Sequence, residues 1–168
     1  VLDLTQSDAG ALPIERKRID LAALLQEAAD ARAAGAQEKA IDLVVEVDVS
    51  VGTIKGDRKR VLQAVDQLLL NAITYTETGG RVLLHGSGTT ELATLVVSDN
   101  GPGMDDAEQA RALDRFSRVG AGIGREGDGS LGIGLPLARQ FVEGHGGTLS
   151  LLSQVGEGTV VTIELPRG

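Results

Sequence analysis

Three short stretches of this 168-residue chain hold side chains that could do chemistry. In QLLLNAITYT, Gln67 to Thr76, the residues Gln67, Asn71 and Thr74 are spaced to share one stripe of a helix. The stripe borders an apolar face, so its members are either satisfied core groups or the floor of a polar site. An Asn carbonyl suits Mg²⁺, a hard cation that keeps several waters and shares phosphate oxygens. In VVSDNGPGM, Val96 to Met104, an apolar run ends at Asp99. A carboxylate there is partly buried and needs donors. It is either a turn-forming aspartate or an acceptor for the exocyclic amine of a purine, with Gly101 and Gly103 letting the backbone approach a ring and supplying a hinge. In GDGSLGIGL, Gly127 to Leu135, glycines run into a helix start. That is either a flexible entry or a phosphate site of free backbone N–H groups at the positive end of a helix.

Other chemistries fall away. GIGREG, Gly122 to Gly127, fits G-x-G-x-x-G by letter, but follows no strand and leads into no tight turn. No lysine occurs after Lys59, which rules out a Walker A loop and leaves Arg115, Arg118 and Arg125 as the loop cations for a phosphate. His85 and His145 read as structural or solvated, and no Ser-His-Asp set or paired-carboxylate site suggests itself. There are no cysteines, hence no disulfide or thiolate metal site, which fits a cytoplasmic location.

The elements that must position these residues follow from periodicity. The chain has the size of one domain with a short appendage. A net charge of −8 argues against nucleic acid as a partner, and with Tyr75, Phe116 and Phe141 as the whole aromatic set there is no stacking platform for single strands. Seven of the 23 glycines fall between Gly120 and Gly134. The segment from Asp20 has helical spacing, and Ile41 to Val49 alternates as a strand. A second helix follows the N-cap Asp57, with Val61, Leu62, Val65, Leu68, Leu69 and Ala72 on its apolar face. RVLLHGS and ELATLVVSD read as paired strands, and DDAEQARALDRF from Asp105 as a short helix with an acidic first turn. LGIGLPLARQFVEGHGG reads as a helix, and GTLSLLS with GTVVTIELP as a closing hairpin. This order predicts a two-layer α/β (α+β) sandwich, a mixed five-stranded sheet packed on about three helices.

QLLLNAITYT, DNGPGM, DRFSR and GSLGIGLPLAR, in that order and spacing, resemble the N, G1, F and G2 boxes of sensor histidine kinases. These belong to the GHKL ATPase superfamily, with gyrase, Hsp90 and MutL. The likeness covers nearly the whole chain, including GGRV, HGGTLSLLS and GTVVTIELP. It implies a Bergerat-type ATP-binding fold over residues 13–168, with residues 1–12 looking like the end of a dimerisation helix and its linker. It also implies ATP and Mg²⁺ as cofactors and transfer of the γ-phosphate to a residue on a dimerisation helix outside this chain. The partners it implies are that helix and a response regulator, in a homodimeric full-length protein. By the same resemblance Asn71 coordinates Mg²⁺, Asp99 bonds the adenine amine and Tyr75 stacks beside the base. Gly101 and Gly103 flank the adenine, Phe116 and Arg118 order the lid, and Leu131, Gly132, Gly134 and Leu135 meet the nucleotide from the G2 stretch. The family's N-box usually begins with Asn and carries Lys three residues past the Mg²⁺ ligand; here those positions are Gln67 and Thr74, a pattern similar to divergent alphaproteobacterial cell-cycle kinases. The alternative is therefore a kinase-like interaction module with weak or no ATP turnover. An anti-sigma-factor serine kinase or gyrase-type ATPase fits less well with the linker-like N-terminus.

Overall fold

Two aspartates start the two helices that carry the core. In the computed structural model, which describes residues 16–113 and 126–168 with side chains at 16–112 and 135–168, a short strand β1 (Lys17–Asp20) runs into α1 (Leu21–Glu38). The Asp20 carboxylate accepts from the Ala23 N–H. After β2 (Asp42–Val47), a single 3₁₀ turn and β3 (Thr53–Gly56), Asp57 caps α2 (Arg58–Tyr75) through the Arg60 N–H. Each cap satisfies one of the amides that a helix start leaves free. The rest of the chain forms β4 (Arg81–Gly88), β5 (Leu92–Asp99), α3 (Asp106–Leu113), α4 (Glu126–Gly144), β6 (Thr148–Gln154) and β7 (Gly158–Pro166).

Five strands make one mixed sheet in the order β2-β4-β5-β7-β6, parallel only between β2 and β4. The register places Leu84, Val97 and Val161 in one row across the middle strands, all buried. Their sequence neighbours Leu83, Val96, Ser98 and Val160 stand on the opposite, partly exposed face. That alternation lets one face receive Leu24, Leu25 and Ala28 of α1 and Val65, Leu68 and Leu69 of α2 in a single apolar core. The expected sandwich is therefore present, with the long helices α1, α2 and α4 as its second layer.

The short helix expected from Asp105 is present as the eight-residue α3, beside the three long ones. Two details differ from the sequence reading. A second, two-stranded sheet pairs β1 with β3, setting Ile19 against Ile54. Each of these four-residue strands has one buried apolar side chain, too little for an alternation to show. And α4 begins at Glu126, so GDGSLGIGL lies within a helix instead of ahead of one. The amides of Gly132 and Gly134 are then not those of a helix start, which belong to the first turn. Glycine reaches helical dihedrals freely, at about 1 kcal/mol per residue relative to alanine, and Pro136 withholds a donor from the carbonyl four residues back.

Polar contacts hold the layers in register. Arg32 of α1 forks onto Asp66 of α2 with both N···O distances 2.7 Å. Buried His145, just past α4, accepts the Asp57 N–H at Nε2 (2.9 Å) and so carries its proton on Nδ1, which faces the Phe141 carbonyl at 2.7 Å. This makes His145 a strut between α4 and the start of α2. His85 stands mid-strand on the open sheet face, half-buried.

At the end of α1, Ile41 N–H bonds Ala36 O and Ala40 N–H bonds Gln37 O, a Schellman motif. Its left-handed residue is Ala40, at φ +56°, where glycine is the usual occupant. Ala40→Gly is expected to raise stability by about 1 kcal/mol, a rise in Tm of roughly 2–4 °C. Thermal or urea unfolding of the two chains measures it.

Candidate functional site

The last two turns of α2 meet the end of β5. On α2, Gln67, Thr74 and Tyr75 are half-buried, whereas Asn71 is only 5% exposed. The periodicity that buries Leu68, Leu69 and Ala72 carries Asn71 to the margin of the core. Neither its amide nitrogen nor its oxygen has a hydrogen-bond partner among the described residues. The hydroxyl of Thr76, the residue that ends the helix, is likewise buried and unpartnered there. Such groups cost about 1–3 kcal/mol each when nothing answers them, so their clustering points to a polar ligand.

Asp99 is the last residue of β5 and lies half-buried beside this helix end. Burial pushes its carboxyl above the usual carboxylate range, and bonds from the Gly101 and Thr159 backbone amides offset only part of that. The Gly101 N–H reaches Oδ1 at 2.9 Å. A Cβ on Gly101 would stand 3.1 Å from that oxygen and 3.1 Å from the Tyr75 carbonyl, so a glycine is what lets the turn lie against α2. Gly103 adopts φ +74°, and a Cβ there would fall 1.9 Å from the Gln154 carbonyl.

The segment after the turn is clipped to the β6–β7 hairpin. Gly156 N–H bonds Pro102 O at 2.7 Å, and Met104 N–H bonds the Ser153 hydroxyl at 2.8 Å. Gln109 of α3 donates to the carbonyls of both Met104 and Ser153 at 3.0 Å. Asp105 and Glu108 close a reciprocal capping box at the start of α3.

The structure thus sets Gly101 of the Asp99 turn against the Tyr75 carbonyl and the Thr76 backbone, with Gln67, Asn71 and Thr74 on the same helix, whereas Gly103 packs against Gln154 and Val155 of the far hairpin. Leu135 is buried at 2% exposure in α4. Leu131, Gly132 and Gly134 lie in the first half of α4, where side chains are outside the described residues, as are Phe116 and Arg118 altogether. Sequence reasoning missed Thr76, Gln109 and Ser153. Thr76 stood inside a stretch already singled out, while Gln109 and Ser153 carry no pattern that marks them. Among the described residues no group of three His, Cys, Asp or Glu could hold a metal ion. One buried, unanswered amide oxygen on Asn71 fits a hard cation that arrives with phosphate oxygens and water as its other ligands.

Residues 56–168 match the histidine kinase-, DNA gyrase B- and HSP90-like ATPase family. The chain belongs to this family. It is 39% identical over 167 residues to the sensor protein DivL of Caulobacter vibrioides, covering 99% of this chain and 21% of DivL. The chain thus spans about a fifth of that relative's length. Among solved structures it is similar to full-length ShkA in complex with AMPPNP, with 27% identity, TM-score 0.79, and 93% of this chain against 32% of that one. It also shares the fold of the histidine kinase ThkA in complex with the response regulator TrrA, at 20% identity and TM-score 0.75, covering 92% of this chain and 42% of ThkA. The shared architecture is that of histidine kinase catalytic domains.

The raised Asp99 of this ATPase-family domain has a signed consequence. A carboxyl whose folded pKa lies above its unfolded one favours folding while protonated, and that advantage is lost as pH rises through the folded pKa. Asp99→Asn should therefore stabilise the ligand-free domain at neutral pH, with the gain fading as pH falls through the raised folded pKa and gone below about pH 4, where the unfolded aspartate is also protonated. Urea unfolding at several pH values reads this out.

Proposed function

We propose that this domain binds Mg·ATP at the seam between α2 and β5 and presents the γ-phosphate to a histidine on a dimerisation helix outside the chain. The observation that carries the reading is a buried Asn71 amide with no partner among the described residues, on the helix whose end meets the desolvated Asp99 turn, in a chain of the ATPase family. Asp99 accepts from the adenine amine, a bond that favours its ionised form, so affinity falls as pH drops through its folded pKa. Tyr75 lies along the base, and Gly101 and Gly103 admit the ring. Gln67 and Thr74 line the triphosphate side, with Phe116, Arg118, Leu131, Gly132, Gly134 and Leu135 contributing from the lid and α4. Asn71 holds Mg²⁺, whose contribution when bound is to neutralise charge on the phosphates. The protein's own work is positioning and exclusion of water, since phosphoryl transfer asks for little covalent chemistry from it.

The rest of the protein follows from that role. The stretch 1–12, where the sequence resembles the end of a dimerisation helix and its linker, lies outside the described residues; the full-length protein is a homodimer that passes phosphate to a response regulator. The relatives support this as sensor proteins and kinases, one of them in complex with a response regulator. Among the described residues no helix is long and apolar enough to cross a membrane. Use of ATP places the domain in the cytoplasm, whether or not the whole protein is membrane-anchored.

One feature favours a second reading, a kinase-like interaction module. Thr74 stands where the family usually carries lysine, which withdraws a cation from the triphosphate in a chain of net charge −8. A charge-assisted bond is worth about 1.5–3 kcal/mol, roughly ten- to a hundredfold in affinity.

Calorimetric titration with Mg²⁺ and a non-hydrolysable ATP analogue separates the two. The kinase reading expects micromolar binding, lost in Asp99→Asn and weakened in Asn71→Ala only when Mg²⁺ is present. Thr74→Lys should tighten it roughly tenfold or more. No binding up to millimolar nucleotide would leave the interaction module.

A further inference from the structure

The C-terminal end of α2 is held by a cation from another helix. A helix end leaves its last carbonyls without partners and gathers negative potential there. The last turn of α2 carries no basic residue of its own. Instead Lys39, the residue that ends α1, places its Nζ 2.8 Å from the Ile73 carbonyl and 2.6 Å from the Thr74 carbonyl. Both distances are those of strong charge-assisted bonds in a half-buried setting.

What this turn carries makes the contact more than a brace between helices. Between Asn71 and Thr76 the helix presents every side chain that the proposed Mg·ATP site takes from α2 apart from Gln67. The next carbonyl along, that of Tyr75, is the one against which Gly101 packs in the Asp99 turn. The direction of Lys39 is itself set locally, because the Schellman motif at residues 36–41 turns the chain at the strained Ala40 immediately after it. Two bonds to consecutive carbonyls fix both the rotation and the extent of the last turn, which a single bond would not.

Resting on the Mg·ATP reading, we propose that Lys39 is a positioning residue for nucleotide binding: it acts through the Ile73 and Thr74 carbonyls to fix the turn bearing Asn71, Thr74 and Tyr75, without touching the ligand itself. Such a residue controls affinity through the geometry of the site, and the chain supplies an unusually clean probe of that geometry. Tyr75 is its one tyrosine and there is no tryptophan, so the near-ultraviolet circular dichroism at tyrosine wavelengths reports this turn.

The test compares wild type, Lys39→Met and Lys39→Arg in the 168-residue chain, well below the melting transition. Lys39→Met keeps the stem and removes the donors; it should weaken binding of the Mg·ATP analogue about fivefold or more and change the Tyr75 signal of the ligand-free protein, with far-ultraviolet helicity unchanged. Lys39→Arg, which can still donate to both carbonyls, should restore both readouts. Unchanged affinity and an unchanged Tyr75 signal in Lys39→Met would overturn the proposal. So would a loss of affinity with no change at Tyr75, or one that arginine does not restore. If Lys39→Met fails to fold, Lys39→Gln takes its place under the same criteria. Failure of the wild-type chain to bind nucleotide would instead refute the Mg·ATP reading, and the ligand-free Tyr75 signal would still decide whether Lys39 sets this turn.

Discussion

The close approach at Gly101 is the constraint on which the site depends. It lets the backbone after β5 lie directly against the last turn of α2: the Gly101 N–H donates to the Asp99 carboxylate, and Gly101 itself packs against the Tyr75 carbonyl. A Cβ at this position would stand 3.1 Å from both oxygens, so the turn and the helix end would have to give by a few tenths of an ångström. The remaining architecture keeps the two elements at that distance. The core row through Leu84, Val97 and Val161 sets the height of β5, the Arg32–Asp66 fork and the His145 strut set α2, and the Pro102–Gly156 bond ties the turn to the far hairpin.

The site is built against local stability. An Asn71 amide and a Thr76 hydroxyl without partners among the described residues, and a carboxyl held away from water, each oppose folding of the ligand-free chain. A fold tolerates a few such groups when its core is otherwise well satisfied, and it retains them where a ligand answers them. Asp66, on the same helix as Asn71, shows the contrast, because Arg32 meets it at both oxygens. Asp66 and Asn71, a little over one turn apart, thus differ: a side chain meets one, and the other has no partner among the described residues.

Much of this was legible in the sequence because the relevant signals are periodic or punctuated. The apolar spacing of α2 put Gln67, Asn71 and Thr74 on a polar margin, and the break after Val97 marked Asp99 and its glycines. Asp57 declared itself as a helix cap. The β1–β3 pair was invisible, since four residues with one isoleucine each make no pattern. The start of α4 was misplaced because glycines signal a loop, yet they take helical dihedrals as readily as any others. Gln109, Ser153 and Lys39 act through tertiary contacts with backbone atoms far away in the chain, and residue type alone says nothing about such contacts.

The central claim is that the unanswered Asn71 amide and the desolvated Asp99 carboxyl are two ends of one nucleotide site. Side-chain NMR of selectively labelled protein tests it directly, following the Asn71 amide and the Asp99 carboxyl during titration with a non-hydrolysable ATP analogue. The account predicts that nucleotide alone moves the Asp99 signal towards its ionised position, and that the Asn71 amide shifts only once Mg²⁺ is added. Nucleotide binding that leaves both side chains unmoved, or that moves them independently at different concentrations, would contradict it.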